Sequence, residues 1–154
     1  MAQTDLFKYS TQERQNKQEL DVITVTLTTD AETIGDNKVL AQSIEIPYAF
    51  SIPAGRSMIQ SIVLLDEVVT GPAVDIFFST TDDAITQDQG KAIGEDVDDL
   101  DTIFANFVGH VNIAAGDWAD MADAKLGTKS NIQLAVHGAS GSTSLYCHVV
   151  NRSG

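Results

Sequence analysis

The chain has 154 residues, of which 43% are hydrophobic, and its 22 acidic and 9 basic residues give a net charge of −13. A chain of this length can bury a core as one domain without covalent cross-links, and its single cysteine, Cys147, excludes an internal disulfide. The acidic balance argues against nucleic-acid binding, which needs clustered Lys and Arg, and no apolar run approaches the roughly 18 residues of a membrane helix.

Residues 1–20 are polar and electrically neutral, since three acids are balanced by three bases. They contain no apolar stretch of the kind found in a secretory signal, so we expect synthesis and folding in a cytosol. Alone, this segment buries too little apolar surface to offset the entropy of ordering it. It is a frayed terminus, a short helix over 11–20, or an extended N-terminal arm that becomes ordered on a neighbouring subunit through Leu6, Phe7, Tyr9 and Arg14.

Three strands are predicted in the first half of the chain. Residues 21–29 (DVITVTLTT) alternate apolar and polar side chains, many of them β-branched, which is the pattern of a half-buried strand. A second strand over 39–46 ends at Pro47, which has no N–H to donate to a ladder, and a third covers 56–65. We expect residues 21–154 to form one domain built from such strands.

The most apolar part of the chain lies near its middle. Two β-rich runs, 61–65 and 74–78, flank a connector that contains Gly71 and Pro72, and both residue types interrupt regular structure. We predict that these runs are adjacent antiparallel strands. Because residues 62–65 are apolar on both sides of the pleat, we expect that strand to be central in its sheet, with both faces covered.

Residues 82–101 form a long excursion with eight acids and one base. Carboxylate clusters are what calcium binds, and four acids here are closely spaced: Asp96, Asp98, Asp99 and Asp101. An EF-hand loop that began at the first of them would need Gly at its sixth position and Glu at its twelfth, where Asp101 and Phe107 stand. We therefore predict a solvated loop, with no metal and no cofactor.

The last third of the chain predicts three further strands and a helical turn. A strand over 104–113 carries two sets of side chains on opposite faces: Phe107, Val111 and Ile113 against Val108, His110 and Asn112. Asp117 is placed to cap a helical turn that begins at Trp118. Residues 130–137 and 142–150 are predicted to form a hairpin. Together these elements predict an all-β fold, a β-sandwich or jelly-roll-like antiparallel domain.

None of the common nucleophile, phosphate-binding, dinucleotide-binding or metalloprotease motifs is present, so we predict that the protein is not an enzyme. The predicted last hairpin would separate His137 from His148 along its strands, so that they cannot share a metal. Cys147 and His148 point to opposite faces of one strand. We expect Cys147 to be a small buried hydrophobe on the face of Leu145 and Val149.

Trp118 has two interpretations, because an indole ring can stack on a sugar or fill a core. The more common role is the second, in which Trp118 would pack the turn over 114–124 against the sandwich.

Several segments follow one another in a recognisable order along about two thirds of the chain. A strand ends in an acidic turn (IQSIVLLDE), and an apolar strand then ends in two phenylalanines (AVDIFFS). An acidic loop follows, and after it come the segments VGHVNIAAGDW (108–118), NIQLAV (131–136) and SLYCHVVNR (144–152). In this order and spacing the chain resembles small virion structural proteins of tailed bacteriophages, including head decoration (cement) proteins.

The resemblance implies a β-sandwich protein that binds the major capsid protein on the outside of an icosahedral head. It implies a trimer, made in the host cytoplasm, that reinforces the shell against the pressure of packaged DNA and touches neither nucleic acid nor membrane. Two alternatives stay open. One is a carbohydrate- or surface-binding module on a phage fibre, with Trp118 and the acidic loop as its contact, and the other is a tail or neck component.

Overall fold

Strands make up nearly all the regular structure in the computed structural model, which describes residues 22–27, 35–67, 70–82, 89–92 and 105–153. Within these residues there are nine strands, which we number in chain order: β1 (Val39–Ile46), β2 (Arg56–Ile59), β3 (Ile62–Asp66), β4 (Val74–Ser79), β5 (Phe107–Ile113), β6 (Trp118–Asp120), β7 (Lys125–Lys129), β8 (Leu134–His137) and β9 (Leu145–Asn151). One 3₁₀ turn, Ala115–Asp117, precedes β6. The predicted all-β fold is confirmed.

The larger sheet has four antiparallel strands in the order β1-β9-β4-β5. Its two central strands, β4 and β9, are buried along almost their whole length. Both are mostly apolar, as expected for strands that are covered on both faces, with Asp75 in β4 and His148 in β9 as buried polar exceptions. The predicted strands over 39–46 and 74–78 are therefore present, but the centre of the sheet is β4 and β9.

The remaining strands form a second layer whose main part is a long antiparallel ribbon. In it β2 pairs with β8 and β3 pairs with β7, while β6 adds to the outer side of β7. The ribbon is interrupted once, because two residues separate β2 from β3 while four separate β7 from β8. Asn131 and Gln133 take up the excess with φ of 57° and 52°, and the Ile132 N–H donates to the carbonyl of Gln60 at 3.0 Å.

The strand pairings are nested along the chain. The first strand pairs with the last, β1 with β9. The ribbon joins the second and third strands to the eighth and seventh, and β4 pairs with β5 inside it. One further pairing, between β4 and β9, closes the larger sheet. The chain therefore runs out and back as a folded antiparallel ribbon.

A single main core lies where the two layers meet. The larger sheet contributes buried side chains that include Ile76, Phe78, Ile113 and Leu145, and the ribbon contributes Val136 with the half-buried Ile59, Ile62 and Leu64. The layers approach so closely at Gly109 that a Cβ there would lie 2.6 Å from the Leu134 side chain. A smaller cluster of Val39, Val150 and Phe77 lies apart from this core.

Two predictions about the apolar middle of the chain are wrong. The runs over 61–65 and 74–78 are not adjacent, since β3 pairs with β7 whereas β4 pairs with β5 and β9. Nor is β3 covered on both faces, because Val63 is 59% and Leu65 is 60% exposed. An apolar run shows that both sides of a strand avoid charge, but not that both sides are buried. The predicted strand over 56–65 is also split into β2 and β3.

Residues 22–27 have no strand pairing in the structure, so the strand predicted over 21–29 is wrong for this part. Val22 is 94% exposed and Ile23 is 37% exposed, while Leu27 packs against the main core. Residues 21, 28 and 29 lie outside the described ranges. The alternating pattern is real, but these residues make no strand pairing, although they lie beside β1.

The predicted hairpin of 130–137 and 142–150 is also wrong. Its strands exist in shortened form as β8 and β9, but β8 pairs with β2, and β9 lies between β1 and β4. Strand β7 was not predicted, because its sequence KLGTK combines two lysines with a glycine. The register that was used to separate His137 from His148 therefore does not hold.

The helical turn predicted after Asp117 is replaced by the 3₁₀ turn and strand β6. Asp117 ends the turn instead of capping a helix. Its carboxylate accepts hydrogen bonds from the Ala114 N–H and from Lys129 Nζ, each at 3.0 Å. These bonds hold the pKa of Asp117 below its usual value, with the Lys129 bond as the largest cause.

The two faces of β5 follow the prediction only in part. Val111 and Ile113 are buried while His110 and Asn112 are exposed, as expected. The register with β4 slips next to Phe107, so that Ser79 lies opposite Phe107 and Val108 has no partner. As a result Val108 packs against the main core, and the Phe107 ring lies 5.8 Å from that of Phe77.

Candidate functional site

Several residues singled out from the sequence lie outside the described ranges. These are Leu6, Phe7, Tyr9 and Arg14 of the predicted arm, and Asp96, Asp98, Asp99 and Asp101 of the acidic excursion. The described part of that excursion includes residues 89–92, which run beside β1. There the Val39 N–H donates to the Lys91 carbonyl and the Gly90 N–H donates to the Val39 carbonyl, each at 2.8 Å.

The three histidines occupy three different environments. His110 projects from β5 toward Asp75, and its side chain is 42% exposed. His137 is exposed at the end of β8, opposite Arg56. His148 is completely buried in β9. Among the residues that the structure describes, no three His, Cys, Asp or Glu side chains are grouped to hold a metal ion.

His148 and Ser79 form a buried pair that superficially resembles a catalytic one. His148 Nε2 lies 2.8 Å from Ser79 Oγ, and its Nδ1 accepts the Ser43 N–H at 3.0 Å. Since Nδ1 is an acceptor, the proton of the neutral ring resides on Nε2 and is donated to Ser79 Oγ. A general base needs the opposite arrangement, with Nε2 accepting the serine proton.

A β-bulge in β1 makes the Ser43 contact. Ala41 lies opposite Val149 and Ile44 opposite Cys147, so two residues of β1 face His148 alone. Ser43 has a φ of 51°, which is uncommon for a residue with a Cβ. The bulge turns the Ser43 N–H toward the ring. Burial of this ring lowers the pKa of His148 to about 4, so it is neutral at pH 7.

Asp75 is the centre of a polar cluster that joins β4, β5 and the end of the chain. Its Oδ1 lies 3.0 Å from His110 Nε2 and accepts from Asn112 Nδ2 at 2.8 Å. Its Oδ2 accepts from Arg152 Nε, and the same guanidinium donates to Asn37. Burial alone would raise the pKa of Asp75, but hydrogen bonds from Asn112, His110 and Arg152 outweigh it and lower the pKa. The carboxylate is already used by three donors, which is the arrangement of a structural tie.

Cys147 is buried on the same side of β9 as Leu145 and Val149 and packs with them in the main core, so this prediction is confirmed. Burial raises the pKa of the thiol to about 12. At neutral pH the sulfur is therefore a thiol, which is neither a nucleophile nor a metal ligand.

Trp118 is half-buried and packs against the main core, so the packing role is confirmed. Its Nε1 donates to the Pro72 carbonyl at 3.0 Å. The ring lies directly over β7, where a Cβ on Gly127 would be 3.0 Å from its atoms. Gly71 has a φ of 56°, and a Cβ there would also meet Trp118, at 3.1 Å. With its N–H used and its ring half-buried, Trp118 is not presented as a sugar-stacking platform.

The candidate functional site is the outer strand of the ribbon, which we call the ribbon edge and define as residues 57–65 (SMIQSIVLL). Strands β2 and β3 each pair on one side only within the described residues. The nine residues carry no charge, and Arg56 and Asp66 flank them. Edge strands normally carry charges or Pro that discourage pairing with another chain, and here the charges stand only at the two ends, Arg56 at the start of β2 and Asp66 at the end of β3.

Three apolar side chains of the ribbon edge are exposed, with the exposed polar residues Gln60 and Ser61 between the first and the second of them. Met58 is 47%, Val63 59% and Leu65 60% exposed, and the residue opposite Leu65 on β7 is Leu126. The inward side chains Ile59, Ile62 and Leu64 already fill the core. Exposed apolar side chains at an edge strand favour contact with another protein, and this strand combines open backbone pairing with such side chains.

Sequence reasoning missed this site by assigning the same residues to a covered central strand. The sequence feature that could identify this site is an uncharged strand with apolar side chains on both of its faces. A strand of this kind is either buried in the middle of a sheet or exposed as a binding strand, and only the strand pairing distinguishes the two.

Within the described part of the chain, no helix is long and apolar enough to cross a bilayer. Comparisons of the chain with protein-family models, with curated proteins and with solved structures found no match. The fold is an all-β domain, and within the described residues the ribbon edge pairs on one side only.

Proposed function

We propose that the protein is a structural component of a tailed-bacteriophage particle that binds the major capsid protein on the outer surface of the head. In this role it assembles as a trimer and reinforces the shell as a decoration (cement) protein. The observation that carries the proposal is the exposed apolar ribbon edge, because a surface of this kind binds other protein subunits. The phage assignment comes from the order of segments between Ser57 and Arg152.

The nested strand pairing supports the jelly-roll form of the fold. A jelly roll forms when an antiparallel ribbon wraps into two sheets, so that strands pair from the outside of the sequence inward. The pairings of β1 with β9, of the ribbon, and of β4 with β5 follow that order. Jelly rolls are common among viral capsid and lectin domains, so the fold agrees with the proposal and with its carbohydrate-binding rival.

Charge supports a position on the outside of the shell. A net charge of −13 is unfavourable beside packaged DNA, because like charges repel and the 9 basic residues are outnumbered by 22 acidic ones. On the outer surface the same charge keeps unassembled protein soluble. A neutral or basic patch on the capsid is the partner that this charge allows.

The test is binding to particles that lack the protein, measured by co-sedimentation. Removal of residues 1–20 is expected to weaken particle binding by at least about tenfold, because an arm adds contacts at many equivalent positions. Serine at Leu6, Phe7, Tyr9 and Arg14 should reproduce most of this loss. Serine at Gln12, Gln15, Asn16 and Gln18 is the matched control and should bind as the wild type does.

Undiminished particle binding after removal of residues 1–20 would contradict the role of the arm and leave the ribbon edge as the binding surface. Binding of the intact protein to a soluble glycan but not to the particle would contradict the proposal and favour the carbohydrate-binding module. Location at the tail or neck in a reconstruction of the particle would assign the chain to another virion component.

A further inference from the structure

The ribbon edge changes its alternation once, near its middle. The residue of β2 that packs on the main core is Ile59, and the residues of β3 that do so are Ile62 and Leu64. Strict alternation places core-facing side chains an even number of positions apart, but Ile62 comes three positions after Ile59. The shift occurs at Gln60 and Ser61, which are both exposed. The edge therefore turns odd-numbered residues to the core in β2 and even-numbered residues in β3.

This shift restricts which strand can pair with the whole edge. Residues that lie opposite each other in an antiparallel pair have side chains on the same face of the sheet. A strand that alternates regularly matches the faces of one half of the ribbon edge and is out of phase with the other half. A second copy of the ribbon edge has the same shift, and it matches both halves when it runs antiparallel with the two shifts side by side.

We propose that the ribbon edges of two copies pair as antiparallel strands across a two-fold axis that lies between Gln60 and Ser61. In this arrangement β2 of each copy pairs with β3 of the other. Met58 lies opposite Val63 of the second copy, on the exposed face, and Ile59 lies opposite Ile62, on the face that packs on the core. Both pairs join aliphatic side chains as cross-strand neighbours, which stabilises a sheet.

The charged ends of the ribbon edge fit the same arrangement. Arg56 begins β2, and the exposed Glu67 follows the last residue of β3, Asp66. Antiparallel pairing brings the basic end of each copy beside the acidic end of the other, whereas parallel pairing would bring like charges together. Between these ends residues 57–65 carry no charge, so an approach along this edge limits the repulsion between copies that carry −13 each.

This contact goes beyond the proposed trimer. A two-fold contact uses one surface twice, whereas a closed trimer joins two different surfaces of each copy. In the proposed role the ribbon edge therefore links copies that belong to neighbouring trimers. Its tests use purified protein alone, so the inference can fail while capsid binding stands, and it can hold if the capsid is not the partner.

Disulfide trapping tests the register of the two strands. The double variant Met58→Cys with Val63→Cys should form a covalent dimer under oxidised glutathione, because each new thiol lies opposite the other thiol of the second copy. Within one copy the two positions are roughly 16 Å apart along the strand, too far for a disulfide. Each single variant is a matched control that should not cross-link, since its two thiols are separated by a similar distance. Cys147 takes no part, because it is buried and its pKa is about 12.

Sedimentation velocity over a concentration series tests the association itself. We expect the wild-type species to contain an even number of chains. The double variant Val63→Lys with Leu65→Lys should halve its mass and raise the dissociation constant by about 100-fold or more, since like charges would be desolvated at the contact. Met121→Lys is the matched control, because Met121 is 54% exposed, as Val63 and Leu65 are exposed, but lies outside the ribbon edge. It should assemble as the wild type does.

Charge reversal tests the direction of the strands. Arg56→Glu and Glu67→Arg should each raise the dissociation constant by about tenfold, because two exposed ion pairs in each dimer become repulsive. One change makes the net charge more negative and the other makes it less negative, so a shared loss cannot come from net charge. The variant with both changes restores opposite charges across the contact and should associate as the wild type does.

The results separate the alternatives. A wild-type protein that binds particles but stays monomeric or trimeric at all concentrations overturns the inference and leaves the proposed function standing. If the lysine variant dissociates but the double cysteine variant cross-links no better than the single ones, the two-fold pairing of the edges is wrong. Dissociation of Met121→Lys, or failure of the double charge reversal to restore the association, also contradicts the inference.

Discussion

The buried neutral histidine predicts a specific dependence of stability on pH. His148 is completely buried, and both of its ring nitrogens are used in hydrogen bonds that fit only the neutral form. Burial lowers its pKa from 6.5 to about 4. Above pH 6.5 the folded and unfolded states both carry a neutral ring, so the full stability is present there.

Between pH 6.5 and about 4 the unfolded state binds a proton that the folded state does not. Stability therefore falls as the pH falls, by about 1.4 kcal/mol per unit. Over about 2.5 units the loss from His148 is about 3 kcal/mol, and below pH 4 both states are protonated and this contribution stays constant. That loss is a large part of the 5–15 kcal/mol that is typical of a folded domain.

The assay is denaturant unfolding at half-unit steps between pH 7.5 and 3.5. His148→Gln retains a donor for Ser79 and an acceptor for Ser43 but does not titrate, so its stability should fall by about 3 kcal/mol less than that of the wild type over this range. His137→Gln, which removes an exposed imidazole from β8, is the control and should keep the wild-type loss. Equal pH dependence in wild type and His148→Gln would refute the reasoning, as would an NMR titration in which His148 gains its proton near pH 6.5.

Three further predictions concern the packing of the sandwich. Asp75→Asn should lower the free energy of unfolding by about 2 kcal/mol, because it leaves Arg152 without its anion. The control is Asp120→Asn, which breaks the ion pair with Lys125 at an 82% exposed carboxylate and should lower it by less than about 0.5 kcal/mol. Equal losses in the two variants would contradict the structural role of the Asp75 cluster. Gly109→Ala should cost about 1–3 kcal/mol by pushing its Cβ into Leu134, and thermal unfolding should show no such cost for Gly116→Ala, where nothing lies within 4 Å. Cys147 should react with a disulfide reagent at pH 8 only as fast as the protein unfolds, because its pKa is about 12; rapid labelling of the native protein would show that the thiol is accessible.

Local patterns in the sequence predicted where the strands are more reliably than they predicted which strands pair with each other. The strands over 39–46 and 74–78 were found because alternation and β-branched residues are properties of a few consecutive side chains. The pairing of β3 with β7 joins residues that are about 60 positions apart, and no local pattern contains it. This is why the predicted neighbours 61–65 and 74–78, and the predicted last hairpin, were wrong.

The polar contacts depended on backbone irregularities that sequence patterns do not encode. The Ser79–His148 pair needs the bulge that directs the Ser43 N–H to the ring, and nothing in the sequence around Ser43 identifies that bulge. In the same way, the register slip beside Phe107 exchanged two side chains between the faces of β5. Cys147 was predicted correctly, because alternation within one strand was sufficient.

The exposed site shows the remaining limit of sequence reasoning. Val63 and Leu65 are apolar residues in an apolar run, and burial is the usual fate of such residues. They are exposed because only one face of β3 packs on the core, and β3 is also a terminal strand of its sheet. The residue pattern therefore identified a strand correctly but predicted a central position with both faces covered.

The most direct test of the account is a cryo-EM reconstruction of particles that carry the protein. We predict density on the outer surface of the shell at the junctions between capsomers, in which the strand of residues 57–65 has a neighbouring strand from another subunit. Density elsewhere on the particle, or copies on the shell whose 57–65 strand faces solvent alone, would contradict the claim that this protein works by joining subunits.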